Sequence, residues 1–316
     1  MAPEASVRDA YGNTLVELGR ENQNIVVLDA DLSRSTRTDL FAREFPDRFF
    51  DCGVAEQNMM GIAGGLAASG KTVFASTFAI FASARCYDQV RISIAQSHQN
   101  VKIVATHGGI TVGEDGFSHH AIEDLALMCS FPGLNVIVPA DAVETAQAVR
   151  EAAATVGPFY IRLPRPKLPL ICGDDYHFAL GKAVIMRGGG DAAVIAIGVM
   201  VVRALQAADT LAREGIDLRV INMSTLKPID EKAIVNAAEE TGAILTAEEH
   251  LQHGGLGSRV AQVVAKHHPV PMSFLTVNDI YSSSGTPEKL LEKHGLTAEG
   301  IVEEIRSLVS RKRSQQ

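Results

Sequence analysis

Short runs of apolar, β-branched residues alternate along the chain with longer stretches of helical period, the pattern of a parallel sheet covered by helices on both faces. In the first half, Asn24–Asp29, Thr72–Phe78, Val101–His107, Val136–Pro139 and Phe159–Leu163 predict strands, and Val54–Ser69, Ser83–Ser97, Ala121–Ser130 and Ala142–Thr155 predict helices. Between Pro164 and Gly190 the alternation dissolves into PRPKLPLICGDD and then MRGGG, a proline and glycine density that marks a crossover. A second unit begins at Ala192. Its expected strands are AAVIAIG, DLRVINM, AILTAEE and MSFLTV, and its expected helices lie near Val201–Arg213, Glu231–Glu240, Gly257–Lys266 and in a closing pair from Pro287 to Leu308. The expected organisation is an α/β domain over residues 1–170, a linker over 171–190 and a second α/β domain over 191–316.

Composition narrows the function classes. With 316 residues and no apolar run of membrane-spanning length, the chain can build about two domains of ordinary size. The opening MAPEASVRDAYGN lacks the charged start, apolar stretch and cleavage pattern of a secretory signal, so a cytoplasmic location is expected. Cys52, Cys86, Cys129 and Cys172 lie far apart with no CxxC pair, which suggests reduced thiols and neither a zinc site nor a disulfide framework. A formal charge of −8 argues against nucleic acid and anionic membranes as partners.

The most informative segment is DCGVAEQNMMGIAGGLAASGKTVFASTFAIF, Asp51 to Phe81. It places Glu56 at the head of a helix of small and apolar residues with no basic residue within several positions. A carboxylate there is desolvated unless protonated or hydrogen-bonded, the environment of a catalytic acid. Read alone, Glu56 is equally a helix N-terminal residue favoured by the macrodipole. Phe78 and Phe81 follow a strand and can either pack in the core or stack on a flat ring. The small-residue stretch Gly61–Ala68 suits either a close helix contact between subunits or packing within the domain.

A second constellation is ATHGGITVGEDGFSHH, in which a strand ends at His107 and a glycine-rich loop leads to Asp115, His119 and His120. Loops after strand ends are where parallel sheets place ligands. A glycine-rich surface turn and a metal site from His107, Asp115 and His119 are both open readings, although no HxH or HExxH pair is present. In DADLSRST, Asp31 and Ser35 follow a strand, where an ordinary turn with a capping Ser is the plain alternative. YIRLPRPKLP supplies Arg162 and Arg165, either of which suits an anion. EEHLQHGGLGSRV contains only a GxG at Gly255 and Gly257 with Val260 in the third position, so His250 and His253 are expected to be polar loop residues.

GVAEQNM, followed some twenty residues later by STFAIF, resembles the pyrimidine-binding domain of transketolases, deoxyxylulose phosphate synthases and the beta subunits of thiamine-dependent 2-oxoacid dehydrogenases. The string TH-x₆-EDG-x₂-H is similar to transketolases in particular. The resemblance runs from Val7 to Leu308 and corresponds to the second and third domains of a full transketolase. It implies thiamine diphosphate as cofactor and transfer of a two-carbon ketol unit from a ketose phosphate to an aldose phosphate, as in the pentose phosphate pathway. It assigns Glu56 to N1′ of the aminopyrimidine, where a proton makes the exocyclic amine a better acid toward the thiazolium C2 proton. It makes Phe78 and Phe81 the aromatic platform, with Ala84 where many members carry tyrosine, and places Asp31 near the thiazolium. His107, Asp115 and His119 would contact the sugar phosphate and its hydroxyls, His119 also acting in catalysis. Ser35 and Arg165 would hold the phosphate, with Arg162 as competitor because proline precedes Arg165.

In this superfamily a Gly-Asp-Gly segment and a downstream asparagine hold the diphosphate and Mg2+. This sequence has no GDG, and Gly173-Asp174-Asp175 is an unconvincing substitute. The implied assembly is therefore an α2β2 heterotetramer with a partner subunit that carries the diphosphate-binding domain and the metal ligands. A dehydrogenase beta subunit, a deoxyxylulose phosphate synthase half and a catalytically silent subunit are the competing readings.

Overall fold

The computed structural model describes residues 3–173 and 175–314; of the Gly173-Asp174-Asp175 string, Asp174 lies outside the described residues. Among the described residues the strands are β1 (Glu4–Ala5), β2 (Ile25–Asp29), β3 (Phe49–Asp51), β4 (Thr72–Phe78), β5 (Val101–Thr106), β6 (Asn135–Ile137), β7 (Phe159–Arg162), β8 (Leu168–Pro169), β9 (Val184–Arg187), β10 (Ala192–Ala196), β11 (Leu218–Asn222), β12 (Thr225–Lys227), β13 (Ile244–Leu251) and β14 (Met272–Val277). They form a seven-stranded sheet in the order β12-β6-β7-β5-β4-β2-β3, a five-stranded sheet in the order β14-β13-β10-β11-β9, and a two-stranded ribbon of β1 and β8. Strands β2, β5 and β10 are buried at every position. Burial from both faces is why they read as unbroken apolar runs in place of alternating ones.

Each of the two larger sheets is parallel except at one edge. Strand β12 leaves the second half of the chain to pair antiparallel with β6, and β9 pairs antiparallel with β11. The segment 171–190, expected to be a linker, thus contributes an edge strand to the second sheet through Val184–Arg187. Helix Val7–Glu21, capped by the Ser6 hydroxyl accepting from Asp9 N–H, buries Val7, Tyr11, Leu15 and Leu18 against the first sheet.

Two expected helices differ in kind. Over Ser83–Ser97 the chain forms π-helical stretches at Phe81–Arg85 and Val90–Gln96 around a short α-turn at Tyr87–Gln89. Over Ala121–Ser130 only Asp124–Cys129 is helical, because Ala121 is drawn into a bridge with Gly109. Helix Glu56–Ala68 turns Gly64 inward, where a Cβ would meet the Ser93 carbonyl oxygen at 2.6 Å, and leaves Gly61 and Gly65 facing open space.

What positions a site is the common direction of β2, β3, β4, β5 and β7, which are mutually parallel. Their carboxyl ends emerge along one edge of the sheet, where open α/β folds bind ligands.

Candidate active site

Glu56 begins the helix that follows β3 and is 2 % exposed. The sequence suggests an unpaired carboxylate, and the structure corrects this: Arg85 Nη1 lies 2.7 Å from Glu56 Oε1. Twenty-nine residues separate the two, and the π-helical turn at Phe81–Arg85 brings them together. Glu56 Oε2 is buried and has no hydrogen-bond partner among the described residues. An orphaned carboxylate oxygen is costly, and a donor from outside the chain would satisfy it.

The aromatic wall stands beside it. Phe78 ends β4, and its ring lies nearly parallel to that of Phe81, with centroids 5.9 Å apart and planes 13° off. The His107 ring stacks on Phe78 at 3.8 Å, and His119 meets Phe81 edge-on at 5.4 Å. Phe78 is buried, whereas Phe81 is half-buried, so the ring left for a ligand is that of Phe81. The Arg85 guanidinium lies over it, 4.2 Å from the centroid.

His107 follows β5 in the left-handed region, with φ of 60°, as does Asp31 after β2, with φ of 62°. A residue other than glycine held there carries strain of about 1–3 kcal/mol, a feature that gathers at ligand sites. His107 Nδ1 shares a hydrogen bond of 2.8 Å with Thr106 Oγ1. Its pKa is pushed down to about 3, first by burial and then by the charges of Arg8 and Arg165 and by His119. The imidazole is therefore neutral at working pH.

The loop after His107 is fastened from the second domain. Glu249, in β13, accepts the Thr111 N–H, and at Gly109, where φ is +79°, a Cβ would collide with the Glu249 carboxylate. Only glycine fits that turn. Burial raises Glu249 to about 7. On the loop's other side Arg165 Nη1 donates to the Val112 carbonyl and lies 3.3 Å from Glu114 and 3.9 Å from Asp115. The β2 loop is held by Asp29, which accepts from Leu32 N–H, Thr36 Oγ1 and Thr38 Oγ1 and is raised by burial to about 6. Asp51 Oδ1 accepts the Asp31 N–H at 3.0 Å.

The structure thus gathers Glu56, Phe78, Phe81, His107 and His119 into one cluster, with Asp115 on the loop after β5 and Arg165 beside it on the loop after β7. Ser35 joins through Arg8, whose Nη1 donates to the Ser35 carbonyl at 2.9 Å and whose buried Nε has no partner among the described residues. Asp31 is exposed.

Two sequence readings are corrected. Arg162 is buried in an ion pair with Asp124 at 3.0 Å and donates to the Ala121 and Glu249 carbonyls, so it is committed to the domain junction. His250 is a fully buried strand residue whose Nε2 accepts the Ala126 N–H; His253 is exposed, as a polar loop residue should be. Among the described residues no group of three or more His, Cys, Asp and Glu is placed to hold a metal ion. Sequence reading missed Arg8, Arg85 and Glu249, which act across 27, 29 and 138 residues respectively and leave no local signal.

A buried acid beside an aromatic wall at the strand ends of a parallel sheet, backed by a second α/β unit, defines a two-unit α/β protein with one candidate site at the carboxyl edge of the first sheet. Residues 3–170 match the family described as "Transketolase, pyrimidine binding domain", and residues 181–301 match "Transketolase, C-terminal domain". Over 95 % of its length the chain is 45 % identical to a "Putative transketolase C-terminal section" from Methanocaldococcus jannaschii, covering 95 % of that protein. It is 42 % identical to a "6-deoxy-6-sulfo-D-fructose transketolase subunit SqwH" from Clostridium sp., covering 97 % of this chain and 95 % of that one. A solved structure described as "Split gene transketolase, inactive beta4 tetramer" superposes with a TM-score of 0.91 at 49 % identity, covering 97 % of this chain and 99 % of that one. The human "Transketolase" is 40 % identical over 97 % of this chain, which spans 49 % of that protein. The chain belongs to the transketolase family.

Its residues fit the thiamine cofactor of that family. Glu56 Oε2 is a buried polar atom without a partner among the described residues, and the Phe81 ring stands at the same end of the sheet with the guanidinium end of Arg85 over it. These two side chains would hold the aminopyrimidine.

Proposed function

We propose that this chain is the pyrimidine-binding subunit of a two-chain transketolase, acting with thiamine diphosphate and Mg2+ in an α2β2 heterotetramer whose other subunit binds the diphosphate and the metal. The observation that carries the reading is the buried, unpartnered Glu56 Oε2 beside Phe81. When bound, thiamine diphosphate supplies the carbon nucleophile and electron sink for cleaving and re-forming a carbon–carbon bond. Glu56 donates a proton to the pyrimidine N1′ from Oε2, and Phe81 orients the ring. Neutral His107 and the adjacent His119 hydrogen-bond the sugar, and Asp115 accepts from a hydroxyl further along it.

Arg8 and Arg165 both lie close enough to lower the affinity of His107 for a proton, so their charges converge on one region of the site. Two guanidinium groups and a neutral imidazole suit a sugar with a terminal anion, phosphate being the chemistry favoured here. The partner reading is supported by relatives that match the chain end to end and are themselves described as subunits or sections. The same full-length likeness outweighs a dehydrogenase beta subunit and a deoxyxylulose phosphate synthase half. A cytoplasmic setting belongs to the same reading, since the partner and the sugar phosphates would have to meet the chain there. Among the described residues no helix is long and apolar enough to cross a membrane.

The test is Glu56→Gln in the reconstituted complex, which keeps size and a hydrogen bond but removes the acid. General acid–base catalysis contributes about 10²–10⁴-fold, so kcat should fall by that order with the fold intact. Near-normal exchange of the thiazolium C2 proton in the variant would sink the assignment.

A further inference from the structure

Arg85 stands where the proposed ring has to lie. Its guanidinium carbon is 4.2 Å from the Phe81 centroid, a stacking separation that leaves no space for a second flat group on that face. Its Nη1 is 2.7 Å from Glu56 Oε1, so the same side chain also claims the acid. The two contacts conflict with the chemistry in different ways. The first is steric. The second is competition for the acid, because Arg85 donates to Glu56 Oε1 and so holds the carboxyl group that a bound ring would use.

The surroundings allow the side chain to leave. Arg85 is 45 % exposed, in contrast to the 2 % of Glu56, and it ends the π-helical turn Phe81–Arg85, a geometry that recurs at functional sites. Its grip on Glu56 is one-sided, since Oε2 keeps no partner. Among the described residues the Arg85 hydrogen bond goes to Glu56 and its ring contact to Phe81, the two groups that a bound ring would take over.

We infer that Arg85 is an internal plug of the pyrimidine pocket. In the empty site it covers Phe81 and neutralises a carboxylate that would otherwise be buried alone. When an aminopyrimidine enters, Arg85 is displaced, which frees the ring face and returns Glu56 to its acid role. The inference rests on the pyrimidine-binding reading of the site and adds to it a self-occupied resting state. An arginine that merely positioned Glu56 would have to stay on it, and its removal would weaken binding. Removing a plug tightens binding, so the two roles differ in sign.

The experiment is calorimetric titration of thiamine diphosphate with magnesium into the complex of this chain and its diphosphate-binding partner, for the wild type, Arg85→Ala and Arg85→Lys. Loss of an exposed stacking contact and a half-exposed ion pair should make Arg85→Ala bind roughly 3- to 10-fold more tightly. Arg85→Lys, which keeps a charge but cannot stack as a plane, should fall between the two. An Arg85→Ala complex that binds equally or more weakly overturns the plug. Should Arg85→Ala fail to assemble, Arg85→Lys decides by the same criterion. Absence of binding even to the wild-type complex would remove the pyrimidine reading and the plug together.

Discussion

At the scale of single residues, His107 is held away from its ordinary protonation. His107 is 4 % exposed, and its pKa falls from 6.5 to about 3 through burial and the nearby Arg8 and Arg165. Between these values the unfolded chain binds a proton that the folded chain refuses, so stability contributed here is present above pH 6.5 and is lost as the pH falls toward 3. At pH 5 the loss is about 2 kcal/mol, because each pH unit below the unfolded value removes about 1.4 kcal/mol. Denaturant unfolding of the wild type and of His107→Asn at pH 7.5 and pH 5 should show a larger acid loss in the wild type by that amount. Parallel losses would mean that His107 is charged in the folded protein. The candidate residues Glu56, Phe78, Phe81, His107, Asp115 and His119 stand out in the sequence because they sit in short strings, GVAEQNM, STFAIF and TH-x₆-EDG-x₂-H, that resemble a known family. Arg85 and Arg8 do not, since nothing in FASAR or SVRD says that a guanidinium will reach Glu56 or Ser35.

At the scale of elements, the end of β7 separates the fates of two neighbouring arginines. Arg162 is the last residue of β7 and turns into the domain junction, whereas Arg165 lies three residues beyond it on the loop side. Removing one partner of a buried ion pair costs about 3–5 kcal/mol, so Arg162→Ala should lower stability by that much. Arg165→Ala should leave the melting temperature nearly unchanged and lower kcat/KM for a phosphorylated aldose by about 10- to 150-fold, the value of a charge-assisted hydrogen bond. Free glycolaldehyde, which has no phosphate, should be nearly unaffected. Equal losses with both acceptors would make Arg165 structural. The strands were readable because fully buried β2, β5 and β10 leave unbroken apolar runs. The π-helical stretches were not, because an α-turn and a π-turn share almost the same apolar spacing over so short a segment. Strand β13 runs on to Leu251 for a tertiary reason: Glu249 and His250 are consumed by the loop and helix of the other domain, which turns an apparently polar end into buried junction.

At the scale of the molecule, the two halves are knit together by more than a linker. Strand β12 of the second half extends the first sheet, and Asn222 of β11 donates to the buried Glu144 of the first domain. Glu249 carries that junction directly to the loop bearing Asp115 and His119, so the second domain shapes the loop of the candidate site. On helix Glu56–Ala68 a Cβ at Gly61 or Gly65 would meet open space, and Val54 and Phe117 are exposed. Our proposal is that Glu56 and Phe81 supply one half of a thiamine diphosphate site that a partner subunit completes. The most direct measurement is calorimetric titration of thiamine diphosphate with magnesium into this chain alone and into its mixture with the diphosphate-binding partner. Binding and ketol transfer that appear only in the mixture are the predicted result; tight, magnesium-dependent binding to this chain by itself would contradict it.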